Sequence, residues 1–108
     1  MFTIDRSLLQ EILEMTLGSK NVYFQPPVNI QMKYPCIVYK RDYASTDHAN
    51  NLPYRNTKRY SVTVIDQSPD SLIPDKIAKL PLCSFSRFYT ADNLNHDVFN
   101  LYFERRSK

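Results

Sequence analysis

The chain of 108 residues holds one glycine, Gly18, and no tryptophan. So little glycine excludes a Gly-rich phosphate loop and the nucleotide-binding motifs built on one. It also removes the glycine-flanked elbow that presents a nucleophilic serine in Ser-His-Asp hydrolases. Left-handed turn positions fall instead to asparagine, which tolerates that conformation better than other non-glycine residues, and Asn50-Asn51, Asp92-Asn93 and Asn95 are the natural places. Cysteine is nearly as scarce. Cys36 and Cys83 both lie in apolar, strand-like surroundings and read as reduced thiols packed as small hydrophobes. No segment approaches the roughly 18 uninterrupted apolar residues of a membrane span. The N-terminus has no basic region followed by an apolar stretch and a cleavage site. The expectation is one domain made and used in a cytoplasm, with no membrane partner.

What the chain does have is clear periodicity. Leu8, Leu9, Ile12, Leu13 and Leu17 recur at helical spacing, with Gln10, Glu11 and Glu14 opposite, Asp5 or Ser7 at the start and Gly18 at the close. Residues 21–25 and 28–32 look extended around Pro26-Pro27, as two short strands or as one strand and an irregular edge. Residues 34–41 and 58–65 read as a pair of strands, separated by a polar connection over 42–57 of a length more often functional or disordered than a simple turn. Ser71 is placed to cap a second helix, Pro74 falls in its first turn, Ile73, Ile77 and Leu80 share one face, and Pro81 ends it. Strands near 83–89 and 98–103 then read as a hairpin with a polar loop over 90–97. This order predicts an α+β fold: a single small domain over residues 1–104, with an antiparallel or mixed sheet of four or five strands covered by an N-terminal helix and a second short helix, and a basic tail over 105–108.

Chemistry is harder to find. Asp42, Asp47 and His48, or Asp92, His96 and Asp97, match no metal-ligand spacing and read as solvated or locally hydrogen-bonded groups. The stretch Tyr54-Arg55-Asn56-Thr57-Lys58-Arg59-Tyr60 interleaves basic and aromatic residues as single-strand nucleic-acid surfaces do. The sequence pI of 8.9 nevertheless falls just short of a strongly basic footprint. The plainer reading puts Tyr60 in the core and Arg55, Lys58 and Arg59 on the surface or against a neighbouring chain. Eight tyrosines and six phenylalanines exceed what one modest core must hold, and such residues are enriched where proteins meet. Charge is unevenly spread: residues 33–60 carry six basic and two acidic side chains, whereas 61–104 carry three basic and six acidic ones. Either the subunit presents opposite charges on different faces, a geometry suited to head-to-tail rings, or folding intermixes them.

Four segments taken together, Tyr34-Pro35-Cys36-Ile37-Val38-Tyr39, Tyr60-Ser61-Val62-Thr63-Val64-Ile65-Asp66, Pro69-Asp70-Ser71 with Ile73-Pro74-Asp75-Lys76-Ile77, and residues 88–99 from Phe88-Tyr89-Thr90 to Asp97-Val98-Phe99, resemble small neck proteins of long-tailed bacteriophages, the tail-terminator or tail-to-head joining family. The resemblance spans about residues 34–103. It implies a homo-oligomer, a six-fold ring at the head-proximal end of the tail that ends the tail tube and meets the head connector and neck proteins, with genomic DNA passing through it. It implies a virion protein assembled in the host cytoplasm, no enzymatic activity and no cofactor. The 42–57 connection and the basic tail follow no pattern of that family, so a head-completion neck protein is the neighbouring alternative and a small nucleic-acid-binding module the more distant one. The expected subunit or partner interface comprises Lys40, Arg41, Asp42, Tyr54, Arg55, Lys58 and Arg59, with the 42–57 connection and Lys58-Arg59 near the ring seam or facing the tube. Arg105 and Arg106, with Lys108, either meet an acidic partner surface or form a solvated tail.

Overall fold

A computed structural model of the chain describes residues 6–49 and 52–106, with side chains described for all of these but 45–49, 52–57 and 103–106. Its elements in chain order are α1 (Arg6–Leu17), β1 (Val22–Phe24), β2 (Cys36–Ala49), β3 (Leu52–Asp66), α2 (Ile73–Ala78), β4 (Cys83–Ala91) and β5 (Leu94–Arg106). The five strands form one mixed sheet in the order β1-β2-β3-β5-β4, with β1 parallel to β2 and the other neighbours antiparallel. This is the expected α+β domain. Of the two readings for residues 21–32, one strand followed by an irregular segment is the one observed.

Alternation along the strands builds the core. Directly opposed residues share a face, and the opposed sets Ile37 with Val64, Tyr39 with Val62 and Phe99, and Tyr60 with Leu101 are all buried. Leu9 and Leu13 of α1, four residues apart, and Ile77 of α2 close over that face, each fully buried. Each such aliphatic side chain contributes about 1.5–3 kcal/mol through burial. Gly18 ends α1 with φ +87°, and its N–H donates to Glu14 O at 2.8 Å. Gln10, expected on the solvent side of α1, is half-buried and functional in the packing. Its Nε2 donates to Val22 O at 3.0 Å, and its Oε1 accepts from the Tyr39 hydroxyl at 2.6 Å. A buried phenol needs such a partner, and Gln10 supplies one, with Arg6 also within hydrogen-bonding reach. At the second helix the Ser71 hydroxyl accepts from the Ile73 N–H at 3.3 Å, while Leu72 occupies the cap position itself.

Three readings are corrected. The 42–57 connection is the continuation of β2 and β3 as an antiparallel ribbon, paired from Tyr43 opposite Arg59 to Ala49 opposite Leu52. Strand pairing of the backbone sustains it, and its polar sequence carries no clear alternation, which is why it read as a loop. Arg105 and Arg106 form the end of β5, opposite Asn56 and Arg55 of β3, and are not a tail; Lys108 lies outside the described residues. Between β4 and β5 the polar loop contracts to the two-residue turn Asp92-Asn93, with φ +53° and +61°, so 90–91 and 94–97 belong to the strands. Asparagine serves there as expected; Asn50-Asn51 lie outside the described residues, and Asn95 instead lies in β5 and donates from Nδ2 to Asp66 O and Gln67 O. Gln25 and Leu82 also take positive φ, 43° and 60°, which nothing in the sequence announced. The ribbon makes the molecule long, 52 × 23 × 23 Å.

Candidate functional site

The ribbon, its root and the adjoining end of β5 hold the residues expected at an interface, Lys108 apart. Lys40, Arg41 and Asp42 lie on β2, Tyr54, Arg55, Lys58 and Arg59 on β3, and Arg105 and Arg106 on β5, three strands that are neighbours in the sheet. By register Arg55 stands between Asp47 of β2 and Arg106 of β5, and Arg105 stands opposite Asn56. Lys40, Arg41 and Lys58 are exposed. The side chains of Tyr54, Arg55, Arg105 and Arg106 are outside the described set, so those four are placed by backbone alone.

Arg59 is the best-defined group of this arm. Asp42 falls in a register shift between Arg41 and Tyr43, the kind of bulge that re-aims a side chain, and its Oδ1 accepts from Arg59 Nε at 2.9 Å. The guanidinium carbon lies 5.5 Å from the Tyr43 ring centroid, and the Tyr102 side chain is a second hydrogen-bond partner. The Asp42 bond first, then that of Tyr102, holds Arg59 more firmly protonated than usual. A cation held by Asp42 and Tyr102 beside a Tyr43 ring that is 52% exposed has the chemistry suited to a contact.

The opposite end of the sheet is acidic. Asp66 ends β3, Asp92 sits in the β4–β5 turn, and Asp97 follows on β5 opposite Val64. Asp75 of α2 is close enough to act on Asp97. Lys76, Lys79 and Arg87 offset part of that charge, yet the strands still run from a basic arm to a predominantly acidic end. Most of each charge block therefore lies towards its own end of the strands, although Glu104 of the acidic block falls in the arm, opposite Thr57, and Asp42 and Asp47 lie there as well. Burial, and after it the Asp75 carboxylate, pushes the Asp97 pKa up, with His96 opposing. A carboxyl raised in the folded state stabilises fully below its unfolded pKa, and that contribution is lost as pH rises through the folded value. Asp97→Asn is accordingly expected to raise the unfolding midpoint at pH 7, with the gain fading towards pH 3; a lower midpoint at both pH values would refute this account of Asp97.

Sequence reasoning missed the outer surface of β4. This strand is the sheet edge, and Phe85, Phe88 and Tyr89 are 56%, 52% and 39% exposed. Three aromatics within five residues were visible beforehand, but not that they stay largely exposed, with Phe85 meeting Phe99 only edge-on at 5.6 Å between centroids. Tyr89 stacks on His96 with centroids 4.5 Å apart, and Arg87 lies 5.4 Å from the Tyr89 centroid. Cys36 and Cys83 are free thiols, and burial followed by the Asp66 charge raises the Cys36 pKa to about 11. Among the described residues no group of three or more His, Cys, Asp or Glu is arranged to hold a metal ion, and no helix is long and apolar enough to cross a membrane. No protein-family model matches the chain, and no curated protein matches it.

Proposed function

We propose that this protein is a structural component of the neck of a long-tailed bacteriophage, acting through self-association and not through catalysis. In this reading copies join head to tail into a ring, six-fold by resemblance, at the head-proximal end of the tail. The ring ends growth of the tail tube protein, meets the head connector and lets genomic DNA pass. The observation that carries the reading is the lengthwise charge polarity of one subunit, a basic three-stranded arm at one end and Asp66, Asp92 and Asp97 at the other. Opposite charges at opposite ends favour heterologous contacts, and such contacts close into rings when the rotation permits. The four motifs that resemble neck proteins supply the location, in the virion after assembly in the host cytoplasm.

Electron microscopy of the purified protein, alone and mixed with tail tubes, tests this. Rings, or tubes capped at one end, are expected; monomers alone under both conditions defeat the proposal. A head-completion protein would also form rings but would bind emptied head connectors in preference to tubes. The cation at Arg59 flanked by Tyr43 and Tyr102 favours, as a second reading, a module for single-stranded nucleic acid. Binding of oligonucleotides that weakens steeply with salt, in the absence of rings, would establish that reading instead.

A further inference from the structure

The sheet ends in two open edges of similar length. One is β4, nine residues whose outer side no strand pairs with among the described residues. The other belongs to β2, because β1 covers only Ile37 to Tyr39 and the outer side of β2 from Asp42 to Ala49 has no described neighbour. Soluble proteins usually guard such edges with proline or inward-pointing charge. Neither stretch contains proline, and β4 carries one charge, Arg87, among exposed Phe85, Phe88 and Tyr89. Lys40 and Arg41 mark the root of the β2 edge, and Asp92 marks the turn end of the β4 edge.

We infer that the β4 edge of one copy, Arg87 to Ala91 above all, receives the β2 edge of the arm of a second copy as an added antiparallel strand. The inference deepens the ring reading and rests on it. Antiparallel pairing with Ala44 opposite Thr90 sets Arg41 of one copy beside Asp92 of the next and Asp47 opposite Arg87, while Asp42, opposite Asp92, is already paired with Arg59 of its own copy; parallel pairing in that register would set Arg41 against Arg87. It also seats exposed Tyr43 near the exposed aromatics of β4. The pair beside a two-residue hairpin turn exchanges both hydrogen bonds and alternate pairs do not, so Thr90 and Phe88 aim their N–H groups away from β5 and towards the incoming strand. Each copy contributes one edge of each kind, which makes the contact heterologous. The arm stands beyond the level of β4 along the strands, and closing a sheet with such a stagger tilts its strands against the ring axis, as in a barrel.

The test uses the full chain carrying Cys83→Ser, with Ala44→Cys in one preparation and Thr90→Cys in another, both positions being exposed. The two are mixed and treated with a short bis-maleimide. A cross-linked dimer from the mixture and none from Ala44→Cys alone is expected. Adding Thr90→Pro to an otherwise unsubstituted chain, which removes an outward donor, is expected to abolish rings while leaving the circular dichroism spectrum unchanged. Rings without the cross-link, or rings that survive Thr90→Pro, overturn this seat and leave the ring reading standing. The cross-link without rings upholds the contact and overturns the ring. Neither product overturns both.

Discussion

Reversing charge at Arg55, Lys58 and Arg59 together, each to Glu, abolishes ring assembly while leaving the unfolding midpoint near that of the unsubstituted protein. The two readouts separate because all three residues belong to the arm and the two with described side chains lie outside the core. Lys58 is exposed, and Arg59 is one-third exposed with a single described ion pair, to Asp42. Exposed ion pairs contribute little to folding. In the proposed ring the same charges would act together between copies, where a like-charge juxtaposition rejects the partner and slows encounter. Reversal also sets Glu at position 59 beside Asp42, turning the best-ordered contact of the arm into a repulsion. For the unsubstituted chain, ring yield should fall as salt rises, since exposed charges are screened beyond roughly 10 Å at 0.1 M. Light scattering and thermal unfolding on the same samples give the comparison. Unchanged ring yield in the triple variant removes these three charges from the contact, and a collapse of the unfolding midpoint assigns those residues to folding instead.

Leu13→Ala gives the opposite pattern, a large loss of stability with the arm intact. Leu13 is fully buried where α1 lies on the sheet, in one cluster with Leu9, Ile37 and Tyr39. Truncating such a leucine costs about 2–5 kcal/mol, the transfer term plus a cavity the rigid sheet cannot fill. A domain of this class has only about 5–15 kcal/mol in total, so the midpoint should fall by roughly 10 °C or more. Met15→Ala on the same helix, 82% exposed, should stay within about 0.5 kcal/mol of the parent. Thermal unfolding of the pair decides the matter: equal midpoints would mean that α1 does not supply the core described above. Because the core has one helical layer on one face of the sheet, a defect there is shared by few neighbours.

The parts of the fold legible in the sequence are those where water touches one side of an element only. The α1 stripe of Leu9 and Leu13, the alternation from Val62 to Ile65 and the Pro74-led α2 all carry that one-sided signature, and together they predict the α+β order. The ribbon does not. Asp42, Tyr43 and Ala44 are exposed in turn, so period-two patterning vanishes although the backbone is fully paired. The same holds around Thr90 and Ala91 on β4. Most of the interface set was read from its charge, but its convergence was not. Arg55 and Arg106 are about fifty positions apart and meet only because β5 returns along β3. The strained backbone of Leu82 was invisible for the converse reason, since nothing in the residue type favours φ of 60°.

The projecting ribbon also alters how the free subunit behaves in solution. A chain of this length packed as a ball has a radius of gyration of roughly 13 Å, whereas this one reaches 15.2 Å. A rod-like particle drags more solvent, sediments slowly and leaves a gel-filtration column early for its mass of 12.7 kDa. Elution position alone would therefore report a spurious dimer, and counting copies calls for a measurement of mass that is blind to shape.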